Sequence, residues 1–344
     1  MTNVSWVAVL AGAALFWAIP GVAVCAQDDP AVQTGNRGDV TGDAPAEQKV
    51  VAATVNGEPL YVADVQREVD FALRDRPIED DALRFMKAQT LERLISRRLA
   101  LAYLTDRKMA ASEQDVDLAV ARLSRELDRR GETLDDYYRR VGVDAATHRR
   151  ELAWELSWRQ FLDQYLTDEN LQRFFERRQR QFDGSQLRVA HILLKVDLPE
   201  NRESVAAAKR RAQEIREEIN SGPLSFAEAA AKYSVAPTAK KGGDIGFIAR
   251  HEPMPESFSR AAFELEDGKV SQPVVTSFGV HLITCLEIKP GQLTWQDVRP
   301  ALHRAVNNYL FDWAADQRRG NARIEYTAAW PHIDAETGTV VDED

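Results

Sequence analysis

The spacing of apolar residues divides this chain into stretches of different texture. Val4 to Val24 is almost wholly apolar, whereas residues 27–48 are rich in Asp, Gly, Ala, Thr, Gln and Pro with no apolar period. Such a composition reads as a flexible tether. A short strand follows at Val50–Val55, turned by Asn56-Gly57. From Val62 the period becomes helical. Leu83, Met86, Leu91, Leu94, Ile95, Leu99 and Leu104 recur at three- and four-residue steps and predict a long amphipathic helix over about 80–107. Ser112-Glu113-Gln114-Asp115 resembles a capping box that starts another helix, and Thr133 before Asp136 starts a short one ending near Gly142. The helix expected over about 144–166 carries Trp154, Trp158, Phe161 and Tyr165, and Thr167 caps a last one expected to run to about 182.

The texture changes at Gly184-Ser185. Leu187 to Val196 reads as a strand, 201–220 and 225–232 as helices, Phe247-Ile248 as a strand and 256–263 as a third helix. Two strands, Val270–Val275 and Val280–Ile288, flank Thr276-Ser277-Phe278-Gly279. The order β-α-α-β-α-β-β within about a hundred residues is that of a compact α+β domain. Residues 294–317 return to an apolar helix and 322–326 to a strand. Neither has a place in the small domain. The simplest arrangement pairs the final strand with Val51–Val55 and packs the helix on the N-terminal helices.

The expected architecture is therefore α+β: an all-α domain built from N- and C-terminal segments, interrupted by an inserted α+β domain. The expected divisions are 1–26 as signal peptide or anchor, 27–48 as linker, 49–185 as helical region and 186–289 as the insert. Residues 290–330 are the returning helix and strand, and 331–344 a frayed acidic tail. Val24-Cys25-Ala26 before Gln27-Asp28 resembles a signal-peptidase site, although no Lys or Arg precedes the apolar run. An uncleaved anchor is the other reading. Either places the body outside the cytoplasm, in the periplasm or cell envelope.

Charge and cysteine usage narrow the function. The formal net charge is −10, but residues 186–289 hold 14 basic against 14 acidic side chains. No folded segment has the basic excess that phosphate-backbone binding needs, so nucleic acid is not an expected partner. The two cysteines are Cys25, in the apolar leader, and Cys285. A cleaved chain would keep one, which permits no internal disulfide, and no His/Asp/Glu cluster has metal-ligand spacing. Ser234 and Ser277 lack a nucleophile-elbow spacing, and the Gly242–Gly246 turn lacks the continuation of a phosphate loop.

Three pieces of the insert stand together: Val189-Ala190-His191-Ile192-Leu193-Leu194, Gly242-Gly243-Asp244-Ile245-Gly246-Phe247 and Phe278-Gly279-Val280-His281-Leu282-Ile283. Between them lie Phe226 to Ser234 and Phe258 to Leu265. The set resembles the parvulin family of peptidyl-prolyl cis/trans isomerases, and its surroundings resemble the SurA/PrsA-like extracytoplasmic folding factors. The resemblance implies catalytic histidines at His191 and His281, and an apolar proline pocket at Ile245, Met254 and Phe258. Phe278 would also contact substrate. Whether the histidines move protons or only shape the site stays open, and each taken alone reads as a core imidazole.

No cofactor and no metal are implied. The implied partners are unfolded or newly exported polypeptides containing X-Pro bonds, and membrane contact would come only through the N-terminal segment. Two departures stand out. Ala236 occupies a position where parvulins commonly carry Cys or Asp, and Phe278 a position that bears a hydroxyl in some members. Reduced turnover with peptide binding kept is the expectation. The 196–204 loop also lacks an adjacent arginine pair, so no preference for phosphorylated Ser/Thr-Pro is expected. The alternative function is a holdase chaperone whose parvulin domain is weak or inactive, with Trp154, Trp158 and Trp313 forming either a client cradle or plain core.

Overall fold

The computed structural model describes residues 50–74, 76–196, 202–327, 330–334 and 338–341. The expected export signal, the linker and most of the 196–204 loop lie outside these residues. Among the described residues no helix is long and apolar enough to cross a membrane.

The chain opens with a hairpin, β1 (Val51–Val55) and β2 (Glu58–Tyr61), turned at Asn56-Gly57. Seven helices follow: α1 (Val62–Leu73), α2 (Asp80–Asp106), α3 (Glu113–Asp128), α4 (Leu134–Val141), α5 (Ala145–Tyr165), α6 (Asp168–Arg177) and α7 (Gln179–Phe182). Their starts follow local chemistry. Ser112 with Asp115 and Thr133 with Asp136 form reciprocal capping boxes, while Asp144 and Thr167 each accept a backbone N–H two or three residues into their helices. These bonds satisfy amide donors that a helix N-terminus otherwise leaves unpaired. The helix expected through 182 breaks at Arg178, whose guanidinium lies over the Phe174 ring at 4.4 Å and over Tyr309 at 5.2 Å.

The insert follows as β3 (Gln186–Leu194), α8 (Arg202–Asn220), α9 (Phe226–Tyr233), β4 (Asp244–Ile248), α10 (Glu256–Glu264), β5 (Val274–Thr276) and β6 (Gly279–Lys289). Its sheet has the order β4-β3-β6-β5, all antiparallel. The strand expected over 270–275 is shorter than its apolar run. Val270 makes only an isolated bridge to Thr284, and Pro273, without an N–H, cannot donate to a ladder.

Alternation along β3 and β6 sends side chains to two cores. Ile192, Val280 and Leu282 pack with Val205, Ile215 and Ala229 on one face, and Leu187, Val189 and Ile283 with Phe258, Ala262 and Phe263 on the other.

After the insert come α11 (Arg299–Arg319) and β7 (Ile324–Tyr326), then the short strands β8 (His332–Ile333) and β9 (Val340–Val341). Helix α11 starts later than its apolar pattern does. Thr294 and Asp297 close a separate turn, and Pro300 in the first helical turn has no N–H to bond back to it. Strand β7 pairs antiparallel with β1, giving the sheet β2-β1-β7. Helix α11 packs along α2, and one core joins Ala53, Leu91, Leu99, Phe161, Leu302, Leu310 and Trp330. The observed architecture is thus a domain built from both ends of the chain, with an α+β insert; that domain is mainly helical and not all-α, because it carries the small sheet β2-β1-β7 and the β8–β9 pair.

One further expectation changes. The described tail residues, 331–334 and 338–341, are not frayed: the β8–β9 pair packs on α2, Trp330 is buried with Lys87 over its ring, and His332 stacks on Tyr326 at 4.2 Å. Of the aromatic stripe, Trp158 is buried core, whereas Trp154 and Trp313 are half-buried at the edge of that core. Trp158 is 5% exposed and stacks on Trp154 at 5.2 Å, with Phe311 edge-on to both, and Trp313 meets Tyr103 edge-on. The indole N–H of Trp158 is satisfied by Asn307 Oδ1 at 2.9 Å.

The chain enters and leaves the insert side by side. The Leu293 N–H donates to the Asp183 carbonyl, and the Gly291 N–H to Ser185 Oγ, each at 3.0 Å. A Cβ at Gly291 would collide with the Asp183 carbonyl, so only glycine fits this crossing.

Trp154, Trp158, Trp295, Trp313 and Trp330, the tryptophans of the described residues, all lie outside 186–289, so their indole fluorescence does not report the insert. Leu99→Ala on α2 and Leu310→Ala on α11 each truncate a buried side chain of one core. Each is expected to lower stability by about 2–5 kcal/mol in the same fluorescence-detected urea transition. A transition left unmoved by Leu310→Ala would contradict a shared core.

Candidate active site

Strands β3 and β6 are paired so that His191 lies opposite Ile283 and Leu193 opposite His281. The two histidines are therefore diagonal neighbours on one face. Their Nδ1 atoms are 3.1 Å apart, with rings nearly parallel at 20° and centroids 5.3 Å apart. Phe258 of α10 stands edge-on to both rings, at 5.7 Å from His191 and 5.3 Å from His281. Ile245 and Met254 pack in the same apolar cluster as Phe258. The structure thus brings together five of the six residues expected at the site. Phe278 is the exception. It is 65% exposed, in the turn between β5 and β6, and outside that cluster.

Thr276 is a member of the constellation that sequence reasoning missed. Its Oγ1 is 2.8 Å from His281 Nε2 and accepts the Phe278 N–H at 3.0 Å. Two runs of protons satisfy these contacts: the Thr276 hydroxyl donates to His281 Nε2 and His281 Nδ1–H to His191 Nδ1, or, in the other tautomers, His191 Nδ1–H donates to His281 Nδ1 and His281 Nε2–H to the second lone pair of Thr276 Oγ1. Thr276 sits five residues before His281 in the Thr276-Ser277-Phe278-Gly279 segment. Its only signal there was a hydroxyl in a turn, which marks many turns.

The loop from Ser234 to Gly243 is bound to β3. Ser234 Oγ accepts from the N–H of Leu193 and of Ala236, the Val235 N–H donates to the Leu193 carbonyl, and the His191 N–H donates to the Gly243 carbonyl at 3.0 Å. Gly243 has φ +80°, and a Cβ there would strike the His191 carbonyl. Ala236, 5% exposed, sits within this loop and offers no polar side-chain atom. Asp244 does not substitute for one. Both of its oxygens are engaged, with Arg188 at 2.6 and 3.0 Å and with the Gly246 N–H at 2.8 Å. The Arg188 bonds, followed by that N–H, hold its carboxyl below the usual range. It opens β4, where it ties Arg188 of β3 to the Gly246 N–H.

Burial governs the electrostatics. His191 and His281 are 8% and 2% exposed. Desolvation pulls both imidazoles below their ordinary range, and the neighbouring His191 charge pulls His281 further, to about 4. At neutral pH the pair is uncharged and walled by Phe258. Among the described residues no group of three or more His, Cys, Asp or Glu could hold a metal ion.

Such a site suits one kind of chemistry. A planar amide keeps partial double-bond character through charge separation, and rotation is opposed by about 18–20 kcal/mol. Twisting the bond removes that separation, so a neutral, apolar enclosure favours the twisted form over the planar one.

A model of the rotamase family, the PPIC-type PPIase domain, matches residues 191–287. The chain is 26% identical over 254 residues to the chaperone SurA of Aromatoleum aromaticum, covering 70% of this chain and 56% of that one. It is 38% identical over 97 residues to the foldase protein PrsA of Bacillus subtilis, covering 28% and 29%. A crystal structure of a PpiC-type peptidyl-prolyl cis-trans isomerase domain aligns at 25% identity over 32% of this chain and 96% of its own, with a TM-score of 0.29. The chain spans about half the length of the SurA relative it matches.

The depressed imidazoles make stability depend on pH. The unfolded chain takes up protons near pH 6.5 and the folded pair only lower, so stability is full above about 6.5 and falls as pH drops toward 4. His281→Leu is expected to flatten this slope in urea titrations between pH 6.5 and 4, and an equal slope in both proteins would count against the assignment.

Proposed function

Starting from the PPIC-type PPIase domain that residues 191–287 form, within a chain similar to SurA and PrsA, we propose that this protein is a parvulin-type peptidyl-prolyl isomerase and chaperone. It assists the folding of exported proteins by holding unfolded segments and isomerising X-Pro bonds within them. The body acts outside the cytoplasm, in the periplasm or cell envelope. The reading is supported above all by the His191–His281 pair, Nδ1 to Nδ1 at 3.1 Å, against Phe258.

In this reading the proline ring enters the pocket of Ile245, Met254 and Phe258, and the rotating carbonyl swings past the neutral histidines. The pair shapes the pocket. The hydrogen bonds that join Thr276, His281 and His191 hold both rings in one orientation, and no proton need leave the enzyme. Phe278, exposed at the mouth, meets the flanking residues of the peptide. No cofactor enters: X-Pro rotation breaks no bond, and each tenfold acceleration needs only about 1.4 kcal/mol of preference for the twisted form.

Ala236 favours a second reading. Without a polar atom at that buried position, the carbonyl of the twisted amide lacks a partner, and turnover is slow while peptide binding persists. The domain then works mainly as a proline-peptide grip in a holdase.

The deciding test is catalysis of cis/trans exchange in a short X-Pro peptide by the full protein. Acceleration is expected, with kcat/KM falling at least about tenfold in His281→Ala and in Phe258→Ala, and rising in Ala236→Asp. If the unmodified protein is inert and Ala236→Asp is active, the holdase reading replaces the isomerase one. A protein that neither accelerates exchange nor binds the peptide would sink both.

A further inference from the structure

Helix α10 carries Phe258 to the histidine pair; Arg250 ties its first turn through Glu256 at 2.6 and 2.8 Å, and its C-terminal end is the one left to groups from outside the insert. The helix has nine residues, an N-terminal boundary at Pro255 without a side-chain cap, and no basic residue in its last turn. A helix this short is marginal by itself. Its last four carbonyls have no partner inside the helix, and they carry the negative end of its dipole. One of them, Phe263 O, is met from outside the insert. Arg180 of α7 donates from Nε to this carbonyl at 2.8 Å, and its Nη1 reaches Asp267 Oδ1 at 3.2 Å. A cation at a helix C-terminus, bonded to a free carbonyl, is favourable on both counts. The Arg180 side chain is largely buried while Asp267 is exposed, so the carbonyl bond is the better shielded of the two. Two more charges link the same surfaces: Arg178 is within electrostatic reach of Glu264, and Arg260 of Asp312 on α11.

We propose that Arg180 is a positioning residue for the isomerase site: from the helical domain it caps α10 and thereby holds Phe258 against His191 and His281. The proposal rests on the functional reading above. Under it the helical domain is part of the catalytic apparatus as well as a surface for clients. Docking of α7 on the insert sets how rigidly the pocket wall stands.

The test compares Arg180→Ala with the unmodified full protein. The expected result is a kcat/KM lowered about threefold to tenfold, the size of effect a charged helix cap supports. Amide exchange over Phe258–Glu264 should speed up by a similar factor, and the imidazole NMR signals of His191 and His281 should shift. Arg180→Lys keeps the charge but not the guanidinium geometry and should lie between. Asp267→Asn, which leaves the carbonyl bond intact, should change kcat/KM by less than about twofold. Arg173→Ala, which removes only an exposed pair with Glu169, should behave as the unmodified protein.

A role confined to global stability would lower the unfolding midpoint without moving the imidazole signals of the folded protein, and that outcome overturns the proposal. So does unchanged α10 exchange in a folded Arg180→Ala. If Arg180→Ala does not fold, unchanged exchange and imidazole signals in Arg180→Lys decide against it equally. If the unmodified protein shows no isomerase activity, the functional reading fails, while exchange and imidazole signals still report whether Arg180 holds the pocket.

Discussion

The ladder between β3 and β6 is the constraint on which the rest depends. Nine residue pairs, from Gln186 with Lys289 to Leu194 with Val280, set which side chains face which core. Because side chains alternate across a strand, a slip of one residue would send one strand's set to the opposite face. His281 would then leave His191 for the layer of Ile192, and Leu282 would take its place beside Phe258. The same pairing that buries Val189 and Ile283 on one side and Ile192 and Val280 on the other therefore makes the histidine pair. Apolar burial, at roughly 1.5–3 kcal/mol for each fully buried Val, Leu, Ile or Phe side chain, holds the register. The polar pair is a passenger on it.

A passenger of this kind needs its own hydrogen bonds. Two imidazoles taken out of water would be costly if unpaired. They are arranged in sequence, Thr276 to His281 to His191, with Thr276 itself anchored by the Phe278 N–H. Burial keeps both rings neutral, which suits them to an apolar pocket and removes the need for a counter-ion. Where the loop from Ser234 to Gly243 crosses β3, backbone bonds to His191 and Leu193 leave room for no side chain at Gly243. The site is rigid where the sheet and this loop define it. Its one wall on a short helix, α10, is steadied from the helical domain.

That domain is closed by residues from both ends of the chain. β7 adds to β1, α11 lies along α2, and Glu92 of α2 is bonded by both Tyr326 and Arg319. The insert connects through two adjacent chain segments joined at Asp183–Leu293 and Ser185–Gly291. A short double neck of this form transmits orientation better than a single linker, because two chains bonded to each other cannot twist independently. Arg178 and Arg180 then meet α10 across the gap.

Much of this was readable in the linear sequence. Helices α2, α3, α4 and α10, the capping box at Ser112 and the helix start at Thr133 follow from spacing and from side chains that bond their own backbone. So does the change of texture at Gly184. The pairing of the last strand with the first followed from apolar elements that had no other place to go. His191, His281 and Phe258 were legible through motifs whose spacing local structure preserves.

What stayed hidden depends on contacts between distant residues. Thr276 is an ordinary turn hydroxyl until β6 brings His281 beside it. Arg180 is one arginine among many until α10 presents a free carbonyl. The stripe of Trp154 and Trp158 reads equally as core or cradle until Phe311 and Asn307 cover it, and the acidic tail hides a strand pair that needs α2 to pack on. Sequence alone determined where backbone and side chain satisfy each other within a few residues. Tertiary structure decided which polar groups would be buried together, because burial is a property of the surface that arrives from elsewhere.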